Sequence, residues 1–276
     1  MAKATQRPVP NYAASPVVET VVGVEFVQLD KWGIPHFGVF WNEIKDEFPR
    51  YEVKPPLVSQ LEGFDKPTPK PVPQAEVQIL TEPEIRCWFI NKDDRSLIQV
   101  QRDRFTYNWR KADSADRYPR YADSVRPGFQ RVWERFAAFV NENQLGELNV
   151  VQCEVSYINH LDIGEGWESA SDLPHLFPCW AGKASGDFLP APENVGFDIS
   201  YRMPDKRGRL RVSLKPAIRN QDAAEILMLT LTARGRPDGS DIESVLGWLD
   251  MGREWVVRGF TDFTSAKMHS LWQRSL

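Results

Sequence analysis

The stretch that most constrains this chain is Leu97-Ile98-Gln99-Val100-Gln101-Arg102-Asp103-Arg104-Phe105-Thr106-Tyr107-Asn108-Trp109-Arg110-Lys111. Its alternation, and its β-branched and aromatic residues, predict one long strand. Successive side chains of a strand point to opposite faces. One face would therefore carry Leu97, Gln99, Gln101, Asp103, Phe105, Tyr107 and Trp109. The other would carry Ile98, Val100, Arg102, Arg104, Thr106 and Asn108. Neither set is apolar throughout, so part of this strand must meet water, a polar partner or other charged groups.

Other elements arrange themselves around it. Val17–Val27 is β-branched and strand-like. Apolar residues at 37, 40, 41, 44 and 48 recur at helical spacing, and Pro49 marks the stop. Pro55, Pro56, Pro67, Pro69, Pro71 and Pro73 make the segment from Lys54 to Pro73 a loop or extended connector. Strands are predicted at Ala75–Leu80 and Ile85–Ile90, the second joined to the long strand by a turn over 91–95. A helix follows with Phe129, Val132, Trp133, Phe136, Phe139 and Val140 as its core stripe.

The series then starts again. Asn149–His160 reads as a strand, and Leu173, Leu176 and Phe177 form a short amphipathic piece. Strands are predicted at Val195–Met203, Leu210–Ile218 and Glu225–Ala233. A helix over Ser240–Met251 is capped by Ser240 or Asp241 and continues into a second helix, with Thr264 as the cap for Ser265–Trp272. The expected fold class is α+β. Two β-α-β-β-β-α units stand in tandem, giving an antiparallel, curved sheet with helices on one face. By analogy this is a helix-grip or TATA-binding-protein-like arrangement. The expected organisation is a flexible tail over 1–16, a first unit over 17–145 and a second over 146–276, with the two sheets joining.

Composition narrows the partners. The net charge of −4 gives no global attraction to nucleic acid or anionic membrane. Charge is unevenly placed, however. Residues 95–120 hold seven basic side chains against three acidic, and residues 200–236 hold nine against three. These basic strands are either a solvated mosaic paired with acids or an anion-facing surface beside Phe105, Tyr107 and Trp109. Three widely spaced cysteines form neither a disulfide framework nor a metal pair. No window has the length of a membrane span and the N-terminus lacks a secretory core, so a cytoplasmic protein with reduced thiols is expected. The ten tryptophans read as anchors sealing helices onto the sheet.

Signatures of catalysis are sparse. There is no phosphate-cradling glycine loop with lysine, no HExxH, no paired CxxC and no GxSxG. Glu154, Ser156, Ile158 and His160 share one strand face, but Glu154 and His160 lie ~20 Å apart along an extended chain, too far for a direct acid/base pair. Two fragments resemble an acid followed by acid-x-Lys: Asp46 with Glu52-Val53-Lys54, and Asp205 with Ser213-Leu214-Lys215. The first runs into Pro55-Pro56, and the second has serine where the second metal-binding carboxylate belongs. No catalytic residue, metal ligand or cofactor is assigned.

One resemblance covers most of the chain. It is carried by Pro16-Val17-Val18-Glu19, the run from Trp41-Asn42-Glu43 to Phe48-Pro49, Leu97–Phe105, Asn108-Trp109-Arg110, Cys153–His160, Arg253–Phe260 and Met268–Trp272. Together these resemble a sporadically distributed prokaryotic family of conserved hypothetical proteins of about 260 residues. The resemblance implies no activity, cofactor or catalytic residue. A patchy distribution suits accessory or defence-linked genes.

The leading expectation is a non-enzymatic module for a protein partner or small ligand, away from membranes. Its candidate binding residues are Gln99, Gln101, Arg102, Arg104, Tyr107, Trp109, Arg110, Glu154, His160, Arg211 and Arg234. The alternative is nucleic-acid or nucleotide binding through the basic strands 95–111 and 202–236. A third is an enzyme of unfamiliar design using Glu154, His160, Asp103 and Arg102.

Overall fold

A computed structural model of the chain describes residues 8–63, 84–182 and 186–275. The strand predicted at 75–80 lies outside them. The fold is α+β, built on a nine-stranded antiparallel sheet among the described residues, with helices against one face. In chain order, β1 (Asn11–Tyr12) precedes β2 (Val17–Phe26), α1 (Ile34–Ile44), β3 (Arg50–Lys54), β4 (Arg86–Ile90), β5 (Ser96–Gln101), β6 (Arg104–Arg110) and α2 (Arg126–Glu142). Then come β7 (Val150–Asp162), α3 (Leu173–Leu176), β8 (Phe197–Arg202), β9 (Arg209–Ile218), β10 (Glu225–Gly235), α4 (Ile242–Phe263), α5 (Ala266–Leu271) and β11 (Arg274–Ser275). The large sheet runs β3-β4-β5-β6-β2-β7-β10-β9-β8, and β1 pairs with β11 apart from it. The first strand of each half lies beside the last strand of the meander that follows it, and β2 pairs with β7 across the middle.

The long strand expected over 97–111 is instead a hairpin. β5 and β6 pair with Gln101 opposite Arg104, which leaves Arg102 and Asp103 as a two-residue turn. Because paired residues share a face, the hairpin reverses the parity of everything after the turn. Ile98 and Val100 now join Phe105, Tyr107 and Trp109 on the helix side, while Gln99 and Gln101 join Arg104, Thr106 and Asn108 on the other. Most of the large apolar residues carry this shift, Ile98 and Val100 at even numbers before residue 102 and Phe105, Tyr107 and Trp109 at odd numbers after it, with Leu97 the exception.

The helix side holds the core. Phe26, Phe40 and Phe105 pack around Phe136 of α2, with ring centroids 4.9–5.9 Å away, beside Trp32 and Trp133. Such contacts add to the burial of large apolar surfaces. Gly128 lets α2 sit this low, since a Cβ there would stand 2.8 Å from the Tyr107 ring. In the second half, Val155, Leu210, Leu229 and Leu231 receive Val245, Trp248, Leu249 and Val256 of α4.

Several boundaries differ from expectation. Pro35 lies in the first turn of α1 rather than breaking the chain before it, because its fixed φ and missing N–H suit that position. β3 begins at Arg50, in residues whose exposed pattern gave no strand signal. α4 runs unbroken to Phe263, capped by Asp241, whose carboxylate accepts from Ser244 N. Ser265 rather than Thr264 caps α5, accepting from Met268 N, while Thr264 ends α4. The final part of the stretch expected to be a tail is docked. Pro10 is buried, β1 is paired, and the Tyr12 hydroxyl meets Thr261 Oγ1 at 2.8 Å. Among the described residues, no helix is long and apolar enough to cross a membrane.

Candidate functional site

The face of the sheet away from the helices carries a polar row in register across its strands. Gln101 stands opposite Arg104, Arg104 opposite Glu25, Glu25 opposite Gln152, Glu154 opposite Arg234, and Arg234 opposite Arg209. Most of this row is buried: Glu25 is 4% exposed, Arg104 6% and Gln152 2%. Burying such groups is costly unless each finds a partner, so the partners define the site.

The cover is residues 57–62, which leave β3 and run across the row. The Gln101 side-chain amide grips the main chain of Leu57 from both ends, its Oε1 accepting from Leu57 N at 2.8 Å and its Nε2 donating to Leu57 O at 3.0 Å. Gln152 does the same one step on: Oε1 accepts from Glu62 N at 2.9 Å, and Nε2 donates to Gln60 O at 3.1 Å. The Ser59 hydroxyl donates to Glu25 at 2.6 Å, and Arg234 donates to Gln60 Oε1 at 3.2 Å. The Glu62 carboxylate then enters between Arg209 and Arg211. Arg209 Nη1 pairs with Oε2, and Arg211 donates Nε to Oε1 at 2.7 Å and Nη2 to Oε2 at 3.0 Å. The two-pronged Arg211 contact matches the planar carboxylate edge to edge.

Beneath this cover the sheet's own charges neutralise one another. Arg104 Nη2 stands 3.0 Å from Glu25 Oε1, off the line of a hydrogen bond. Arg234 donates to Glu154 at 2.5 Å, and the Ser156 hydroxyl donates to the same carboxylate at 2.9 Å. Burial pushes the Glu154 carboxyl up, but Arg234, Arg104 and Ser156 together bring it below its ordinary value. Asp103, beside Gln101, goes the other way: burial raises it, and Arg104 and Gln101 only partly offset that.

The expected site residues divide. Gln101, Arg104, Glu154, Arg211 and Arg234 converge under or around residues 57–62. Gln99 is nearby on the same face but faces Arg86, from which its Oε1 accepts at 2.8 Å, and Asn108. Arg102 turns away, donating to the carbonyls of Leu29 and Asp30. Arg110 pairs with Asp94 at the far end. His160 lies six residues beyond Glu154 on β7, its Nδ1 buried without a partner and its pKa lowered by burial and by Arg219. Tyr107 and Trp109 fall on the helix face in the core, so the expectation that they stack a ligand beside Gln99 and Gln101 is overturned by the hairpin. Phe105 is excluded for the same reason. The enzyme candidates do not assemble either: Glu154 is taken by Arg234 and Ser156, and Arg102 by carbonyl groups. Among the described residues, no group of three or more histidine, cysteine or carboxylate side chains is placed to hold a metal.

Glu25, Gln60, Glu62, Gln152 and Arg209 belong to the site but were not singled out from the sequence. Gln152 could have been, because it shares the strand parity of Glu154 and His160. The connector gave no signal, since a segment held by side-chain amides needs no periodicity of its own. Elsewhere the basic stretches are also largely paired: Arg95 with Asp93 and Asp116, Arg219 with Asp162 and Asp222, and Arg207 with Asp238. Compared with family models, curated proteins and solved structures, the chain matches none.

Proposed function

We propose that this protein is a non-enzymatic binding module whose polar sheet face holds an extended, acidic polypeptide segment of a protein partner. Residues 57–62 occupy that face in the meantime. The observation that carries the reading is the pair of glutamine clamps. Gln101 and Gln152 each bind main-chain N–H and C=O groups, which recognises an extended peptide whatever its side chains, while Arg209 and Arg211 select for a carboxylate. A partner segment of the same chemistry would displace the cover residue for residue. The nucleic-acid alternative draws less support, because the arginines it needs already have carboxylate partners.

The finer architectural reading belongs here too. The matching strand orders of the two halves favour two related units fused across β2 and β7, in the manner of TATA-binding-protein-like repeats. Unpaired Cys87, Cys153 and Cys179 suit a reducing, cytoplasmic setting. Membership of the sporadic prokaryotic family rests on the quoted sequence blocks.

The test replaces residues 57–62 with a Gly/Ser segment and adds a labelled peptide of residues 55–63 in trans. Anisotropy should report binding to the replaced protein and at least about tenfold weaker binding to the intact one, because there the site is filled. A peptide with Glu62→Ala should also lose about tenfold or more. A folded, replaced protein that binds none of these peptides overturns the proposal and leaves residues 57–62 as a structural strap.

A further inference from the structure

A cavity on the helix side of the sheet is independent of the polar face. Its walls come from β7, β10, α4 and the segment entering β2; the space enclosed between them is about 40 Å³, and it opens to solvent at the mouth.

Three polar features meet there. Arg253 of α4 lies 5.6 Å from the centre of the Tyr121 ring and bonds the Tyr157 hydroxyl, yet its Nε is buried without a partner. Among the described residues no carboxylate pairs with it. Its helix neighbours are engaged elsewhere, Asp250 with Arg126 and Glu254 with Arg258. Second, Tyr118 and Tyr157 share a hydroxyl–hydroxyl hydrogen bond of 2.6 Å at the wall. Third, Asn159 lines the same space and is 1% exposed. Its Nδ2 donates to Leu229 O at 2.9 Å and to Tyr157 O at 3.4 Å, which fixes the amide and leaves Oδ1 as an acceptor with no donor. A buried acceptor left in this way marks a missing partner. Leu231, Val256, Val257 and Phe260 supply an apolar wall.

A cation without a counter-ion, an acceptor without a donor and a short apolar wall define their complement. We propose that this cavity binds a small carboxylic acid bearing a hydroxyl or amino group and a short aliphatic side chain. The carboxylate meets Arg253 and the tyrosine hydroxyls, the donor meets Asn159 Oδ1, and the aliphatic part lies on α4. Tyr12, held by β1 and by its contact with Phe260, closes the outer side.

The full-length protein tests this by thermal shift and calorimetry with four probes: leucine, 2-hydroxyisocaproate, isovalerate and leucinamide. The hydroxy or amino acid should raise Tm in a concentration-dependent way. Isovalerate, lacking the donor, should bind about tenfold more weakly, and leucinamide, lacking the carboxylate, should not bind. Arg253→Met should remove binding of the acids. Asn159→Leu should erase the preference over isovalerate without abolishing carboxylate binding. Should Arg253→Met fail to fold by circular dichroism, Arg253→Lys serves instead and should weaken binding about tenfold while keeping the order of the acids. Absence of any shift with wild-type protein overturns the proposal, as does leucinamide binding as tightly as leucine, or acid binding that survives the arginine substitution.

Discussion

One sheet here presents two unlike interiors. Toward the helices, Phe26, Phe40, Phe105, Phe136 and Trp133 interlock in a dry aromatic core. On the reverse, Glu25, Arg104, Gln152, Glu62 and Arg209 are buried as thoroughly, but by hydrogen bonds and ion pairs rather than by shape. Burial alone therefore does not distinguish the faces; what each group would lose on exposure does. The aromatic face gains from leaving water. The polar face only recovers what desolvation took from it, so its stability contribution is small and its specificity high. A face of that kind can exchange one well-matched occupant for another, which a packed core cannot.

The sharpest way to break this contrast is a pair of truncations. Phe136→Ala should cost about 3–5 kcal/mol through a cavity that nothing refills. Arg104→Met should cost a comparable ~3–5 kcal/mol, because Glu25 would be left charged and buried. The two then part company under compensation. Adding Glu25→Leu to Arg104→Met should recover most of the loss, since an ion pair replaced by apolar groups is often neutral. No single added substitution should rescue Phe136→Ala. Urea titrations of the wild type and these three variants decide it, and a double variant no better than Arg104→Met would mean the polar row is essential as charge.

Gly23 sits on the polar side of β2, where a Cβ would stand 2.5 Å from Thr106 Cγ2 and 2.8 Å from the Phe105 carbonyl. Gly23→Ala must push a neighbouring strand rather than a flexible tip. A loss of about 1–3 kcal/mol is expected, read as a lower urea midpoint with unchanged m-value. A neutral result would show that the polar face tolerates movement even at its centre.

Glu62→Gln keeps the shape of residues 57–62 and removes the charge between Arg209 and Arg211. Unlike Arg104, these arginines can regain water if the cover lifts, so the global loss should be smaller, about 1–2 kcal/mol. The local effect should be larger. Amides of 57–62 should exchange faster with solvent while those of α2 and α4 stay protected. Uniform acceleration across both faces would deny the cover its independence.

Much of the fold was legible because the helix side obeys periodicity. The stripe of Phe129, Val132, Trp133, Phe136, Phe139 and Val140 predicts α2, and the alternation of Val151, Cys153, Val155 and Tyr157 predicts β7. The β5–β6 hairpin was missed because Gln101-Arg102-Asp103-Arg104 lacks the glycine or asparagine that usually announces a two-residue turn. That single miss put Tyr107 and Trp109 on the wrong face and the candidate site with them. Gln101, Arg104, Glu154, Arg211 and Arg234 all fall on the reverse face, which their polarity alone marked. Glu62 could not be found, since its role depends on Arg209 and Arg211, nearly 150 positions away in sequence.

The smallest effect expected separates the covered part of the polar face from its open end. His160 lies on β7 beyond the reach of residues 57–62, with Arg219, Asp162, Asp222 and Lys111 as the charged groups around it. Burial lowers its pKa below the ordinary 6.5, Arg219 and Lys111 add to that, and Asp162 and Asp222 oppose it. In the unfolded chain the ring therefore takes up a proton more readily than in the fold. Its contribution to stability is complete above about pH 6.5 and is lost as the pH falls from there through the folded value. His160→Gln should flatten that part of the stability profile, with the imidazole resonance of the wild-type protein titrating below pH 6.5. His269, also lowered chiefly by burial, acts in the same direction, so its own Gln variant is the control. Suppose His160→Gln leaves the slope unchanged while His269→Gln removes it. The open end of the face would then carry no titrating strain, and the contrast within it would vanish.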